Sequence, residues 1–317
     1  MKSGFACAMI VGALTAQSSG ALAQDKLKVA IGQRGVYENS ISELGQNAGF
    51  FKKRGLELEI LYTQGSGETQ QAVISGSVDI GIGVGTHGMM SAFSKGAPIR
   101  ALGATMTGGY EFWYVKADSP LKTFKDAAGK TVAFSTNGAS TNMMVNAMQK
   151  QFDIKVRPTA TGSPTSTFTQ VMSNQIDVGW SAPPLAYAAV LDGRTRILVP
   201  GKDIKAFNNQ SIRVIAANAG DLQKRREVYA RYLAAYRDTI EWMYSDPASL
   251  DAYAKWAEIS RDMAEKVRNE FLPKENLDPG RMSGLDEMMD DAVAFKFLPA
   301  RLTQEQIATL FQKLDAK

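Results

Sequence analysis

Apolar and polar positions along the first two thirds of the chain switch between strand-like and helix-like spacing. Leu27–Ile31 alternates apolar and polar side chains, whereas apolar residues between Ile41 and Phe51 recur on one helical face until Gly55. The predicted elements are a strand over 27–31, a helix over 41–53, a strand over 56–61, a helix over 68–75 and a strand over 78–82. This alternation predicts an α/β fold with a largely parallel sheet.

The same order of elements recurs later in the chain. Strands are predicted over 130–134, 154–157 and 176–179, and helices over 142–151 and 168–173. Four of nine positions are identical between Val73–Gly81 and Val171–Gly179. A repeated supersecondary unit of this kind predicts two similar Rossmann-like lobes.

Two segments connect the predicted lobes, over 101–116 and 211–217, and the chain is helical after Asp221. We predict lobe 1 over 24–105, lobe 2 over 106–214, and a helical tail over 215–317 that packs on lobe 1. The last helix has a clear start, because Thr303 is followed three residues later by Gln306 in a capping-box pattern.

The first residues have the pattern of a secretory signal. Lys2 precedes an apolar run over 5–16, and Ala21-Leu22-Ala23 matches an A-x-A cleavage site. That run is shorter than the roughly 20 residues that a membrane helix needs. We predict cleavage after Ala23 and a periplasmic location; a buried N-terminal helix is the alternative interpretation.

Composition narrows the function. The 317 residues include 36 basic and 32 acidic side chains, one Cys and one His. A net charge of +4 without a Lys/Arg block gives no basis for nucleic-acid binding. A single Cys and a single His exclude a Cys/His metal cage and leave little for Cys–His catalysis, so we expect no metal and no cofactor.

Three strings resemble a known family. These are Ala48–Leu56 (AGFFKKRGL), Ser75–Gly81 (SGSVDIG) and Ser119–Lys122 (SPLK) with Asp126–Val132 (DAAGKTV). With the order of elements, they resemble the nitrate/sulfonate/taurine-type substrate-binding proteins of ABC importers. The resemblance implies a type II periplasmic binding fold, with a ligand between two lobes that close about two crossing strands. It also implies a monomer that docks on a membrane permease and is not an enzyme.

Polar loops follow a strand in each predicted lobe, and such strand ends are where open α/β sheets bind ligands. The loop over 135–141 offers hydroxyls and free N–H groups at a helix start, which favours an anion. Its candidate ligand-binding residues are Ser135, Asn137, Gly138 and Ser140; ordinary helix capping is the alternative.

The loop over 33–39 occupies the equivalent place in lobe 1. Gln33 is a candidate ligand-binding residue. Arg34 could hold a carboxylate or a sulfonate in a bidentate pair, and Tyr37 could lie against a planar or apolar ligand body. A solvated surface arginine is the alternative for Arg34.

Residues 83–88 match G-x-G-x-x-G, but they follow the third strand instead of opening the fold, so a dinucleotide site is rejected. We interpret Gly85, Thr86 and His87 as a loop that lines the cleft. A surface or buried structural histidine is the alternative for His87.

Aromatic residues lie near the predicted connections and strand ends. Tyr110, Glu111 and Trp113 follow the glycines of the first crossing and could point into the cleft. Trp180 lies at a strand end, where it could cover the ligand or belong to the core of lobe 2. Asp79 and Asp177 occupy the same place in the two repeats and are predicted to be structural.

These features predict a receptor that captures a small organic anion and delivers it to a permease. The anion is a sulfonate or a carboxylate, and it could be aromatic. Three alternatives stay open. The ligand could be a neutral heterocycle such as a pyrimidine, or the clamp could be a sensor input domain. An enzyme of the pyrimidine-synthase type is disfavoured, because those relatives need histidine and a cysteine-rich motif.

Overall fold

The computed structural model describes residues 24–314, so the predicted signal over 1–23 lies outside the described residues. No helix in the described range is long and apolar enough to cross a membrane. The strands are β1 (Asp25–Gly32), β2 (Leu56–Thr63), β3 (Ile80–Gly85), β4 (Ile99–Met106), β5 (Phe112–Lys116), β6 (Thr131–Phe134), β7 (Arg157–Ala160), β8 (Gly179–Ser181), β9 (Thr195–Pro200) and β10 (Arg213–Asn218).

The α-helices lie between and after these strands, and the last six follow β10. They are α1 (Ile41–Asn47), α2 (Phe50–Lys53), α3 (Ser66–Ser75), α4 (Thr86–Ser94), α5 (Ser140–Phe152), α6 (Pro164–Met172), α7 (Tyr187–Leu191), α8 (Ala219–Lys224), α9 (Arg226–Ser245), α10 (Ala248–Ala257), α11 (Arg261–Phe271), α12 (Leu285–Ala294) and α13 (Gln304–Leu310).

The first lobe is built on a five-stranded sheet in the order β2-β1-β3-β10-β4. β1 pairs in parallel with β2 and β3, whereas β10 returns from the second lobe and pairs antiparallel with β3 and β4. The sheet is therefore completed by a strand that lies more than a hundred residues later in the chain.

The second lobe combines an antiparallel sheet, in the order β8-β5-β9, with the parallel pair β6-β7. A bridge between Val132 and Val178 joins the two pieces. The chain leaves the first lobe between β4 and β5 and returns between β9 and β10. The two connections are bonded to each other, because the Gly108 N–H donates to the Gln210 carbonyl over 2.9 Å.

The C-terminal helices cover the first lobe. α9 buries Tyr229, Tyr232 and Tyr236 in the cluster that includes the apolar faces of β1, β2 and α1. α13 lies beside β4, where the Gln312 N–H donates to the Ala101 carbonyl over 2.8 Å. Phe271 from α11 reaches across to the core of the second lobe.

The observed elements follow the predicted pattern with local differences. The predicted helix over 41–53 is two helices, because Gly49 adopts a left-handed conformation (φ 84°) between α1 and α2. β7 starts at Arg157, three residues later than the predicted strand. The capping box of α13 forms as predicted, with Thr303 and Gln306 bonded reciprocally.

The sequence repeat has a structural counterpart at its two aspartates. Asp79 accepts a hydrogen bond from the Lys28 N–H in β1, and Asp177 accepts one from the Thr131 N–H in β6, both over 2.8 Å. In each lobe the carboxylate thus fixes the first strand beside the third predicted strand of the repeat.

Candidate functional site

A narrow cavity of about 30 Å³ lies between the two lobes beside the crossing segments. Its walls come from the loop after β1, the start of α3, both crossings and the start of α5. The residues that line it are Gly32, Gln33, Val36, Glu38, Asn39, Ser66, Gly83, Tyr110, Glu111, Ser135, Ala139, Ser140, Thr141, Trp180, Ala182 and Arg213. A small solute there would contact both lobes and both connections.

A buried charge cluster forms the floor of this cavity. Arg213, the first residue of β10, has a side chain only 10% exposed. Its Nη1 donates to Glu111 Oε1, and its Nη2 lies 3.4 Å from Glu38 Oε1. Tyr110 donates its O–H to Glu38 Oε2, and its ring centre lies 5.2 Å from the guanidinium carbon of Arg213. One guanidinium is therefore shared by two carboxyl groups.

The cluster extends into the second lobe through Ser140. The hydroxyl of Ser140 donates to Glu111 Oε1 over 3.4 Å and lies 3.4 Å from Nη1 of Arg213. The Tyr110 N–H donates to Glu111 Oε2 over 3.1 Å. Because Glu38 belongs to the first lobe and Ser140 to the second, the cluster joins both lobes at the hinge.

Burial sets the electrostatics of the cluster. It raises the pKa of Glu38, and the Arg213 guanidinium and the Tyr110 hydroxyl only partly oppose that rise. Burial alone would lower the pKa of Arg213, but Glu111 and Glu38 outweigh it and the pKa is raised, so the guanidinium stays charged. The guanidinium charge is paired within the cluster by Glu111 and Glu38.

Several buried polar atoms in the cavity wall make no hydrogen bond among the described residues. These are Nε and Nη2 of Arg213, Oδ1 of Asn39 and Oγ of Ser135, although Nη2 is ion-paired with Glu38. The amide nitrogen of Asn39 donates to the carbonyls of Gly32 and Gln33, which fixes the direction of its oxygen. The cavity thus offers both donors and acceptors.

Glycines let the two lobes approach closely at the rim of the cavity. A Cβ built on Gly85 would lie 2.5 Å from the Gly138 carbonyl oxygen, and one on Gly88 would lie 2.7 Å from it. The Gly67 N–H also donates to Thr136 Oγ1 over 3.1 Å across the cleft. The described conformation is therefore a closed one.

Five of the predicted ligand-binding residues line the cavity: Gln33, Tyr110, Ser135, Ser140 and Trp180. The Trp180 indole N–H donates to Thr161 Oγ1 over 3.2 Å, which fixes the ring against the wall. Their contact with a solute stays a prediction.

Arg34 and Tyr37 lie outside the cavity, contrary to their predicted place in the cleft. The guanidinium of Arg34 is exposed and packs over the rings of Tyr62 and Trp256, at 5.7 and 5.9 Å from their centres. Tyr37 is buried with its ring edge-on to Tyr253, 4.6 Å between centres. The one-turn helix over 37–40 directs Glu38 and Asn39 to the cavity instead.

The predicted cleft loop over 85–87 is a strand end followed by a helix. Gly85 ends β3, and Thr86 begins α4 and donates its hydroxyl to the Ser211 carbonyl over 2.6 Å. His87 is completely buried, with its ring edge-on to Phe207 at 6.1 Å. Burial lowers the pKa of His87 to about 3, so the ring is neutral.

Three further predicted residues do not line the cavity. Asn137 is exposed, and Gly138 packs against Gly88 where the lobes meet. Trp113 lies in the core of the second lobe and donates its indole N–H to the Ala133 carbonyl over 2.9 Å.

The sequence interpretation missed Arg213, and it named Glu38 and Asn39 only as members of a loop. A signal for Arg213 is present, because a lone arginine interrupts the apolar strand Ile212–Ala217. A charge in such a strand is rarely buried without a partner. In the described range no group of three or more His, Cys, Asp or Glu residues could hold a metal ion.

Two lobes closing on a polar cavity define a protein with the periplasmic binding fold, and comparisons with known proteins confirm this class. The alkanesulfonate-binding protein SsuA from Xanthomonas axonopodis pv. citri has a TM-score of 0.71 at 16% identity, covering 91% of this chain and 98% of that one. The nitrate-binding protein NrtA from Synechocystis PCC 6803 has a TM-score of 0.69 at 13% identity, covering 90% and 85%.

The NMT1/THI5-like family matches residues 40–250, and the chain belongs to that family. The family resemblance stated from the sequence is thereby confirmed. Among curated proteins, the chain is 19% identical over 244 residues to the 4-amino-5-hydroxymethyl-2-methylpyrimidine phosphate synthase THI12 of Saccharomyces cerevisiae. That match covers 73% of this chain and 69% of the yeast one.

Proposed function

We propose that this protein is the periplasmic solute-binding component of an ABC importer, which closes on a small solute and delivers it to a membrane permease. The family and the fold, shared with proteins named for sulfonate and nitrate binding, support this function. The proposed location also rests on the predicted signal over 1–23, and the proposed receptor acts as a monomer.

The observation that carries the proposal is the composition of the cavity wall. Glu38 comes from the first lobe, Ser140 from the second, and Glu111 and Arg213 from the two connections. A solute held by all of them would favour the closed arrangement by its differential affinity, and the permease would recognise that arrangement.

The sequence favours a small organic anion as the solute, and α5 supports this with its N-terminus at the cavity. The charge cluster supports an uncharged solute better. Arg213 already faces Glu111 and Glu38, so no guanidinium charge remains unmatched for a carboxylate or a sulfonate.

We propose binding without turnover, although the yeast relatives are named as synthases. His87, the single histidine of the chain, is buried against Phe207 and does not line the cavity. It therefore cannot reach a bound solute as a general base in the described conformation.

The closure step can be tested with Gly85→Ala. The added Cβ would meet the Gly138 carbonyl oxygen at 2.5 Å, so the lobes cannot close fully, while the backbone of Gly85 (φ −64°) accepts alanine. The matched control is Gly220→Ala in α8, where the nearest atom lies at an ordinary 3.5 Å.

The assay combines thermal shifts and small-angle scattering across a panel of neutral and anionic solutes. A solute at about 100 times its Kd should stabilise the protein by about 2.7 kcal/mol and make it more compact. Gly85→Ala should weaken binding by about tenfold or more, and Gly220→Ala should not. Equal affinities in Gly85→Ala and wild-type protein would show that the solute does not bind between closing lobes.

A further inference from the structure

The unpartnered polar atoms of the cavity specify the chemistry of its solute. We propose, on the basis of the proposed function, that the site binds an uncharged molecule with a carboxamide-type unit and discriminates against the corresponding carboxylate. Such a unit has an N–H group beside a C=O group. Amides, lactams and ureides share this unit. The family comparisons name nitrate-, sulfonate- and pyrimidine-related proteins, so this class comes from the cavity itself.

Arg213 supplies the donors for the carbonyl oxygen. Its Nη1 is bound to Glu111, and Nη2 has only the 3.4 Å ion pair with Glu38 and no hydrogen bond, whereas Nε has no partner among the described residues. The side chain is 10% exposed, and a buried donor without an acceptor is costly. A carbonyl oxygen would satisfy this edge of the guanidinium without adding a full negative charge.

Asn39 supplies the acceptor for the solute N–H. Its residue is 5% exposed, and its Oδ1 has no partner in the described part of the chain. The amide cannot usefully flip, because its nitrogen already donates to the Gly32 and Gln33 carbonyls. Gly83 leaves the space beside this oxygen open, since a Cβ there would lie 3.2 Å from Oδ1.

Charge balance argues against an anion in the same place. A carboxylate on Arg213 would lie beside both Glu38 and Glu111, each no more than 2% exposed. Like charges at such distances in a buried site repel strongly. The single guanidinium is already paired with these two carboxyl groups, so the site offers no unpaired cation to an anion.

The rest of the wall suits a flat molecule. The Trp180 ring is fixed by its hydrogen bond to Thr161, and Val36 and Ala182 complete an apolar surface. A small planar amide could therefore contact aromatic area while its polar edge faces Arg213 and Asn39.

The test uses matched pairs of the same shape that are small enough for the cavity: formamide with formate, and acetamide with acetate. Calorimetric titration of the purified protein near pH 7 should give Kd values at least about tenfold lower for each amide than for its acid. The variant Glu111→Gln removes one negative charge and should lower this amide-over-acid ratio by about tenfold. Exposed Glu59→Gln is the matched control and should leave the ratio unchanged. Glu38→Gln gives the same test if Glu111→Gln does not fold.

Tighter binding of the amides, with the shift in Glu111→Gln, supports the proposal. Tighter or equal binding of the acids overturns it and leaves the proposed receptor function intact, since a solute still binds. Binding of neither series also overturns it, and the receptor function is then decided separately by the solute panel and Gly85→Ala. An unchanged ratio in both Glu111→Gln and Glu38→Gln also overturns the proposal, because the discrimination would then not come from these carboxyl groups.

Discussion

Acidification should destabilise this protein through His87, and replacement of that residue by leucine should remove the effect. The ring is fully buried, its neighbour Phe207 is apolar, and neither ring nitrogen has a hydrogen-bond partner among the described residues. Protonation would place an unpaired charge in this site. The variant His87→Leu keeps a similar volume and cannot titrate.

The magnitude follows from the pKa of His87, which burial lowers from 6.5 to about 3. The unfolded chain takes up the proton near the ordinary value, whereas the folded protein does so only near the lowered one. The contribution of His87 to the free energy of unfolding is therefore fully present above its pKa in the unfolded chain. It is lost as the pH falls toward the pKa of His87 in the folded protein. By linkage, this group should remove about 2 kcal/mol from the free energy of unfolding between pH 7 and pH 5.

The measurement is urea unfolding of wild-type protein and His87→Leu at both pH values, followed by circular dichroism. Other titrating groups are common to the two proteins, so their difference isolates His87. The wild-type protein should lose about 2 kcal/mol more than the variant. Parallel losses in the two proteins would show that the folded state accommodates the charged ring, and the burial argument would be wrong.

Two further predictions concern buried and partly buried charges. Asp177→Ala should lower the free energy of unfolding by about 1–2 kcal/mol, because the Thr131 N–H and hydroxyl lose their acceptor. Hydrogen bonds from Thr131 outweigh desolvation and lower the pKa of Asp177, so in wild-type protein this stabilisation should be present near neutral pH and disappear in acid. Arg213→Met should cost about 3–5 kcal/mol in thermal or urea unfolding, because Glu38 and Glu111 would lose their shared cation.

Both predictions have clear controls. Asp177→Asn keeps the shape and one acceptor oxygen, so it should cost less than Asp177→Ala; equal costs would mean that the hydrogen bonds contribute little. For Arg213→Met, the added change Glu111→Gln should recover part of the lost stability. No recovery would show that packing around Arg213, rather than its charge, stabilises the hinge.

Local patterns were sufficient to predict much of the fold. The apolar spacing located most strands and helices. The repeat around Asp79 and Asp177 corresponds to the same hydrogen bond in both lobes, from a strand N–H to the aspartate. The break at Gly49 was not predicted, because apolar spacing does not show whether a glycine adopts a left-handed conformation.

The site was harder to predict because it depends on contacts between distant residues. Arg34 lies in a polar loop at a predicted strand end, whereas Arg213 lies in an apolar strand where no local pattern links it to the cleft. The structure places Arg213 in the cavity because β10 returns from the second lobe and inserts between β3 and β4. Arg34 instead stays at the surface, where aromatic rings and Glu258 hold it.

The position of Arg213 also connects recognition to closure. The residue begins the strand by which the chain re-enters the first lobe, and its guanidinium faces Glu38 of that lobe, Glu111 of the other crossing and Ser140 of the second lobe. Separation of the lobes would carry Ser140 away from Arg213 and open the cluster to water, where its ionic contacts weaken. A solute that accepts a hydrogen bond from Nε of Arg213 would therefore bind the closed state more tightly than the open one. Selectivity and closure are thus expected to change together when this arginine or its partners are replaced.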